Sequence, residues 1–287
     1  MSWSRSFVPV LLIASSLAAM PRSAQATWSV IAVDPETREV GAAGATCGPF
    51  VWMIAQVEPD AGAVVSLFAT NVGARKDIAA ALGEGESPEA ALEPVLVADY
   101  DDELGIRQYA VVGFDGLGAV YTGDECDDWK GAFAEDYMAV AGNTLVSELV
   151  LGEVALAYQA AQGEPLADRL LAALEAGAAQ GGDSRCDPEV AAESAFLFVA
   201  QPDDGRPTID LTASSKDGAV AALRDKYDGG KRRNLHCSSA GDLPSGLGLL
   251  GLLGILGLLL RRRAEIRLTA PAPRSHPAAA RAEGPAP

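Results

Sequence analysis

Thr27 follows the small-x-small triplet Ala24-Gln25-Ala26 and opens the apolar run Trp28 to Val33. Cleavage after Ala26 would give one residue both a nucleophile, its Oγ, and a base, its own α-amine. With a reference pKa of about 7.7 to 8.0, that amine accepts a proton near neutral pH, and it reaches the hydroxyl directly or through one water. The chemistry this serves is attack on the carbonyl of a small amide or peptide-like substrate. The plain alternative is a threonine that only begins a strand.

Other nucleophile chemistries are removed by what the chain lacks. Its two histidines, His236 and His276, both fall outside the expected folded body, so Ser-His-Asp triads, Cys-His pairs and His-ligated metals are not available. No serine is flanked by glycines at −2 and +2, none stands three residues before a lysine, and no Gly-rich loop ends in Lys-Ser/Thr. The acidic runs "ADYDDEL" (98–104) and "DECDDW" (124–129) lack the Gly at six and Glu at twelve of a calcium loop. They read as solvated loops; no metal and no cofactor are expected.

The ends carry targeting signals. Arg5, the apolar stretch from Phe7 to Met20 and the A-x-A triplet make residues 1–26 a signal peptide. Leu243 to Leu260 hold 18 uncharged residues before Arg261-Arg262-Arg263. As a helix they would be roughly 27 Å long, close to the hydrocarbon thickness of about 30 Å, with the arginines kept cytoplasmic. The expected organisation is a folded domain over 27–215, a polar stretch over 216–242 that begins as a helix and becomes a linker, a membrane or sorting helix over 243–260, and a basic Ala/Pro-rich tail over 261–287. The body would then face the periplasm or the outer surface.

The stretch between the signal peptide and the expected membrane helix, about 210 residues, is long enough for one substantial core. The formal charge of −17 lies mostly on it and argues against nucleic acid as a partner. Oligomeric state is not legible. Cys47, Cys126 and Cys186 sit in a disulfide-permissive compartment. Cys126 and Cys186, both in loop-like surroundings, are the expected pair; Cys47 reads as a core thiol, a disulfide half or a substitute nucleophile.

Strands are expected over 28–33, 40–46, 51–56, 64–70, 107–114, 119–122, 137–141, 195–200 and 208–212. Helices are expected over 75–82, 88–97 (Ser87 as N-cap, Pro88 at the first position), 147–162 and 165–179. Paired strands and paired helices favour a layered α+β domain. The first two strands flank "DPETRE" as a hairpin whose partner numbers sum to about 73, which sets Thr27 opposite Thr46 and beside Cys47. Asp34 and Glu36 then lie about 20 Å from Thr27, as turn residues.

Between these signals the chain resembles the family called domain of unknown function 1028, which is placed by similarity among the N-terminal nucleophile (Ntn) hydrolases. The matching stretches are "TWSVIAVDPETREVGAAGAT", "SPEAAL", "RQYAVVGFDG", "YTGDECDDWKG", "VAGNTL", "LADRLLAALEAGAAQGGDSR" and "ESAFLFV", in order from Thr27 to about Ser214. The resemblance implies a four-layer αββα sandwich with Thr27 as nucleophile, Asp183 orienting the terminal ammonium and Asn143 positioning substrate. Gly142, Gly182 and Arg185 would join the substrate site, with turn backbone donating to an oxyanion. The family often reads Ser-Lys where this chain has Thr46-Cys47. Separately, "HCSSAGD" with Cys237, the Leu/Gly-rich helix and "RRR" resemble bacterial sorting signals of the MYXO-CTERM type, which implies processing or lipidation at Cys237.

Overall fold

A computed structural model describes residues 27–203 and 205–238, with side chains described through Lys231. The signal peptide, the helix over 243–260, the basic tail and the side chain of Cys237 lie outside the described residues. No helix among the described residues is long and apolar enough to cross a membrane.

Strand β1 (Thr27–Val33) turns back into β2 (Val40–Thr46). Trp28 pairs with Ala45 and Val33 with Val40, so partner numbers sum to 73, as the Asp-Pro turn predicts. Asp34 holds the turn by accepting the Glu36 and Thr37 N–H groups at 2.9 and 3.1 Å. Its other oxygen meets Arg169 Nη1 at 3.3 Å, so this end of the hairpin is structural.

Next come β3 (Ala55–Glu58), β4 (Gly62–Phe68), α1 (Val72–Gly83), α2 (Pro88–Leu92), β5 (Arg107–Gly113), β6 (Ala119–Thr122), β7 (Gly131–Glu135) and β8 (Met138–Asn143). Then α3 (Leu149–Ala160), α4 (Leu166–Ala179), β9 (Ser194–Ala200), β10 (Ile209–Ser214) and α5 (Ala219–Ser238) complete the described chain. All strand pairings are antiparallel, in a six-stranded sheet ordered β10-β9-β2-β1-β8-β7 and a four-stranded sheet ordered β3-β4-β5-β6.

Three apolar clusters hold these elements. Trp28, Val30 and Ala32 face α3, α4 and α5; Ile31 and Val33 face Val65, Leu67, Ala110 and Val112 of the other sheet; Val64, Tyr109 and Val111 of that second sheet face α1 and α2. Both faces of β1 and β2 are therefore covered, which is why every residue in them is buried. Helix α5 contributes Ala219, Val220, Leu223 and Tyr227 to the first cluster, so the packed body runs past residue 215.

The structure departs from expectation at three elements. Val51–Ile54 form a 3-10 turn, not a strand, because Phe50 enters the left-handed region at φ 61° and redirects the chain. The helix starting at Pro88 stops at Leu92, since Pro94 has no N–H to continue the ladder. The strand β7 was not expected: "GAFAE" lacks the β-branched residues that mark strands, and it forms as a half-buried edge.

The acidic run at 98–104 is not uniformly solvated. Asp101 is buried and accepts from Asn71 Nδ2 (2.7 Å) and from Arg107 Nε and Nη2 (2.7 and 3.2 Å). Hydrogen bonding from Arg107 lowers its pKa to about 2. A depressed carboxyl stabilises the fold above its unfolded value and loses that contribution as pH falls through its folded one. Acid unfolding should therefore steepen between about pH 4 and about pH 2, and Asp101→Asn should remove that part of the slope in urea titrations.

Gly44 is demanded by packing. A Cβ there would stand 2.7 Å from Phe196 Cε1, between the sheets. Gly44→Ala should cost about 1–3 kcal/mol in equilibrium unfolding, and combining it with Phe196→Leu should recover part of that loss.

Candidate functional site

The space between the sheets changes character along the strands. At the hairpin-turn end it is filled by Ile31, Val33, Val40, Val57 and Val112. At the opposite end the same faces carry Thr27, Ser29, Thr46, Gln108, Asn143 and Ser194, each at most 1% exposed in the full chain. Side-chain alternation places Thr27 and Ser29 on the Ile31 face, and Asn143 on the Ala139 and Ala141 face. Thr27 is the direct cross-strand partner of Asn143, so their side chains share one face.

Asp183 lies behind this end with no exposed surface. Its Oδ2 accepts from Cys47 N–H at 2.7 Å, Arg185 Nη2 at 2.8 Å and Thr46 Oγ1 at 3.3 Å. Its Oδ1 accepts from Arg185 N–H and Nε, both at 3.0 Å. Arg185 thus grips the carboxylate with a two-toothed fork, and its Nη2 also stands 3.2 Å from Thr46 Oγ1. Gly48 N–H donates to the same hydroxyl oxygen at 3.2 Å.

The turn presenting Asp183 needs its glycines. Gly182 has φ 54°, and a Cβ on it would stand 2.6 Å from the Trp28 ring, so the residue after Thr27 packs directly against the residue before Asp183. Gly182 N–H donates to Gly177 O at 3.2 Å and closes α4. Beside it, Thr144 (φ 52°) sends its carbonyl to Ser184 N–H and Oγ at 3.0 and 2.8 Å. The structure therefore gathers Thr27, Gly142, Asn143, Gly182, Asp183 and Arg185 at one end of the strands.

The expected Cys126–Cys186 bridge is corrected. Cys186 is bonded to Cys47, with Cα atoms 5.7 Å apart, and Cys126 is a buried free thiol. The physical reason is the hairpin register: it ends β2 against the 183–186 turn, where Asp183 takes the Cys47 amide. Cys126 is held instead against the start of β5, 3.5 Å from Arg107 O. Burial pushes its thiol up to about 11. The bridge removes Cys47 as a substitute nucleophile.

Gln108 was missed by sequence reasoning. A glutamine at an inward position of the apolar strand "RQYAVVG" was the available signal. Its amide reaches from β5 to the six-stranded sheet and meets Asn143 Nδ2, Gly142 O and Gly131 O at 3.0, 2.9 and 3.1 Å.

The comparisons agree with this fold. The model of a family of unknown function, DUF1028, matches residues 27–223. The crystal structure of a Silicibacter pomeroyi protein described as DUF1028 is similar at 30% identity and a TM-score of 0.62, covering 71% of this chain and 85% of that one. No curated protein matches.

Alkylation by iodoacetamide at pH 8 should leave Cys126 unmodified in the native protein and modify it after denaturation. Intact mass without reductant should show one thiol within residues 27–231, and a peptide map should join residues 47 and 186.

Proposed function

The chain belongs to the DUF1028 family of unknown function, and from that premise we propose an exported, membrane-tethered hydrolase of a small amide or peptide-like bond, built on a four-layer αββα sandwich of the Ntn type. The observation that carries this reading is the buried polar end between the sheets, which begins at Thr27, the residue where the family match also begins. Burying six hydroxyl or amide side chains costs stability that apolar residues would not, so a function at that end accounts for them better than packing does. The disulfide supports export, because such bonds persist in oxidising compartments.

In this reading, cleavage after Ala26 releases the α-amine of Thr27. The amine takes the Oγ proton as Oγ attacks the substrate carbonyl. The proton passes to the leaving nitrogen, an acyl ester remains on Oγ, and water releases it as the carboxylic acid. Asp183, gripped by Arg185, holds the end of β2 against the 183–186 turn and fixes Thr46 alongside; Asn143 lines the same face as Thr27. The anchor is the apolar helix expected over 243–260, with Cys237 as the processing or lipidation point.

One observation favours a second reading, a non-catalytic envelope binding or structural module on the same fold. Cys47 is tied up in the bridge, so position 47, where the family often has lysine, offers no titrating side chain near Thr27.

Intact mass of the exported protein decides first: a mature chain beginning at Thr27 is expected, and one beginning at Gln25 or earlier ends the enzyme proposal. A β-lactone or epoxyketone probe should then label the wild type and fail on Thr27→Ala. A Thr27-initiated chain that takes no label would favour the binding module.

A further inference from the structure

Gln108 sits where a leucine or valine would hold the two sheets together without desolvating an amide. It is fully buried, and its strand neighbours on the same face are Ala110 and Val112. Its polarity therefore needs a reason beyond packing.

That reason follows from which atoms face it. Gly131 O and Gly142 O belong to directly paired residues of β7 and β8, and a backbone carbonyl only accepts. They stand 3.1 and 2.9 Å from one nitrogen, so the Gln108 amide has a single workable orientation, with Nε2 toward them. The hydroxyl of Thr122, its partner on β6, stands 3.1 Å from the same nitrogen, whose two hydrogens are shared among the three oxygens. Oε1 is then turned toward Asn143 and accepts from Nδ2 at 3.0 Å. This settles the second amide too: Asn143 must put Oδ1 on its other side, where Thr144 Oγ1 donates to it at 3.4 Å. The chain of constraint runs from two carbonyls of the six-stranded sheet, through a side chain of the four-stranded sheet, to the residue paired with Thr27.

We propose that Gln108 is a positioning residue that locks the Asn143 carboxamide, so that its oxygen, approached by Thr144 Oγ1 at 3.4 Å, keeps its remaining acceptor capacity for a donor at the Thr27 end of the site. In that orientation Asn143 receives from a donor, such as the hydroxyl or liberated ammonium of Thr27 or an N–H of the substrate. One of its own N–H bonds is spent on Gln108. The part concerning Thr27 rests on the hydrolase reading; the locked orientation does not.

The test uses the mature full-length protein and two readouts. In the first, side-chain amide resonances of 15N-labelled protein are followed: slowly exchanging Nδ2 hydrogens of Asn143 are expected in the wild type, and release of that protection in Gln108→Leu. Unchanged protection in the variant would overturn the lock, whatever happens to labelling. In the second, β-lactone labelling of Thr27 is resolved into maximal rate and half-saturating concentration for Gln108→Leu, Asn143→Ala and the double variant. Gln108→Leu should lower the maximal rate roughly ten- to a hundred-fold with little change in half-saturation, and the double variant should be no slower than Asn143→Ala alone. Additive losses, or a loss of melting temperature with labelling intact, would make Gln108 merely structural. Where leucine prevents folding, Gln108→Glu serves: protonated, it keeps one donor and one acceptor. Its labelling relative to wild type should be retained at pH 5 and fall by pH 8, and a pH-independent ratio would overturn the lock. A wild type that takes no label ends the hydrolase reading and with it the Thr27 part, leaving the amide resonances to decide the rest.

Discussion

A single buried carboxylate organises the end of this fold. Asp183 has no exposed surface and five donor contacts, from the end of β2, from the Thr46 hydroxyl and from Arg185. A charge removed from water is tolerated only when its partners are complete, so the loop that carries Asp183 and the strand that ends at Thr46 must sit together or the fold loses both. The Cys47–Cys186 bridge lies one residue beyond Thr46 and one beyond Arg185, and it fixes covalently the same approach. Trp28 completes the arrangement from behind, with its ring against Gly182. Thr27 is thereby positioned by its neighbours on both sides of the sheet.

The two ends of the inter-sheet space express different needs. The hairpin-turn end is apolar and is closed by the Asp34–Arg169 pair, which ties a turn to a helix. The Thr27 end spends hydrogen-bonding groups where valine or leucine would bury more cheaply. Such a network specifies orientation at the expense of stability, and that exchange is characteristic of sites that must present particular atoms.

How far the sequence anticipates this depends on whether a signal is local. The hairpin register follows from the Asp-Pro turn and the alternation around it, and it correctly sets Trp28 against Ala45. Ser87 and Pro88 likewise announce α2, and Ser87 Oγ does accept from Ala90 N–H at 3.2 Å. The disulfide partner was not legible, because it depends on a contact between residues 139 apart in the chain that only the Asp183 cage brings together. Strand β7 depends in the same way on β8 beside it, since "GAFAE" has little intrinsic preference for an extended edge. Asn143, Asp183 and Arg185 were reached through motif resemblance, while Gln108 was overlooked because one polar residue in an apolar strand reads as an edge or an error until the facing sheet is known.

The proton chemistry of the described residues bears on which group could act as a base under the proposed reading. Burial pushes the Cys126 thiol to about 11, and burial with the Asp77 hydrogen bond pushes the Tyr100 hydroxyl to about 12. Burial also raises the Tyr109 and Tyr158 hydroxyls, so all four keep their protons near neutral pH. Asp101 stands at the opposite extreme, at about 2, engaged by Arg107. Cys47 and Cys186 are joined, and both oxygens of Asp183 are occupied by donors. The Cys126 thiol and the three tyrosine hydroxyls hold their protons near neutrality, whereas a freed α-amine at Thr27 would have a reference pKa of about 7.7 to 8.0. Under the proposed reading, acyl chemistry at the end of β1 draws its base from the freed amine of Thr27, and the cut after Ala26 would then be an activating step as well as a consequence of export.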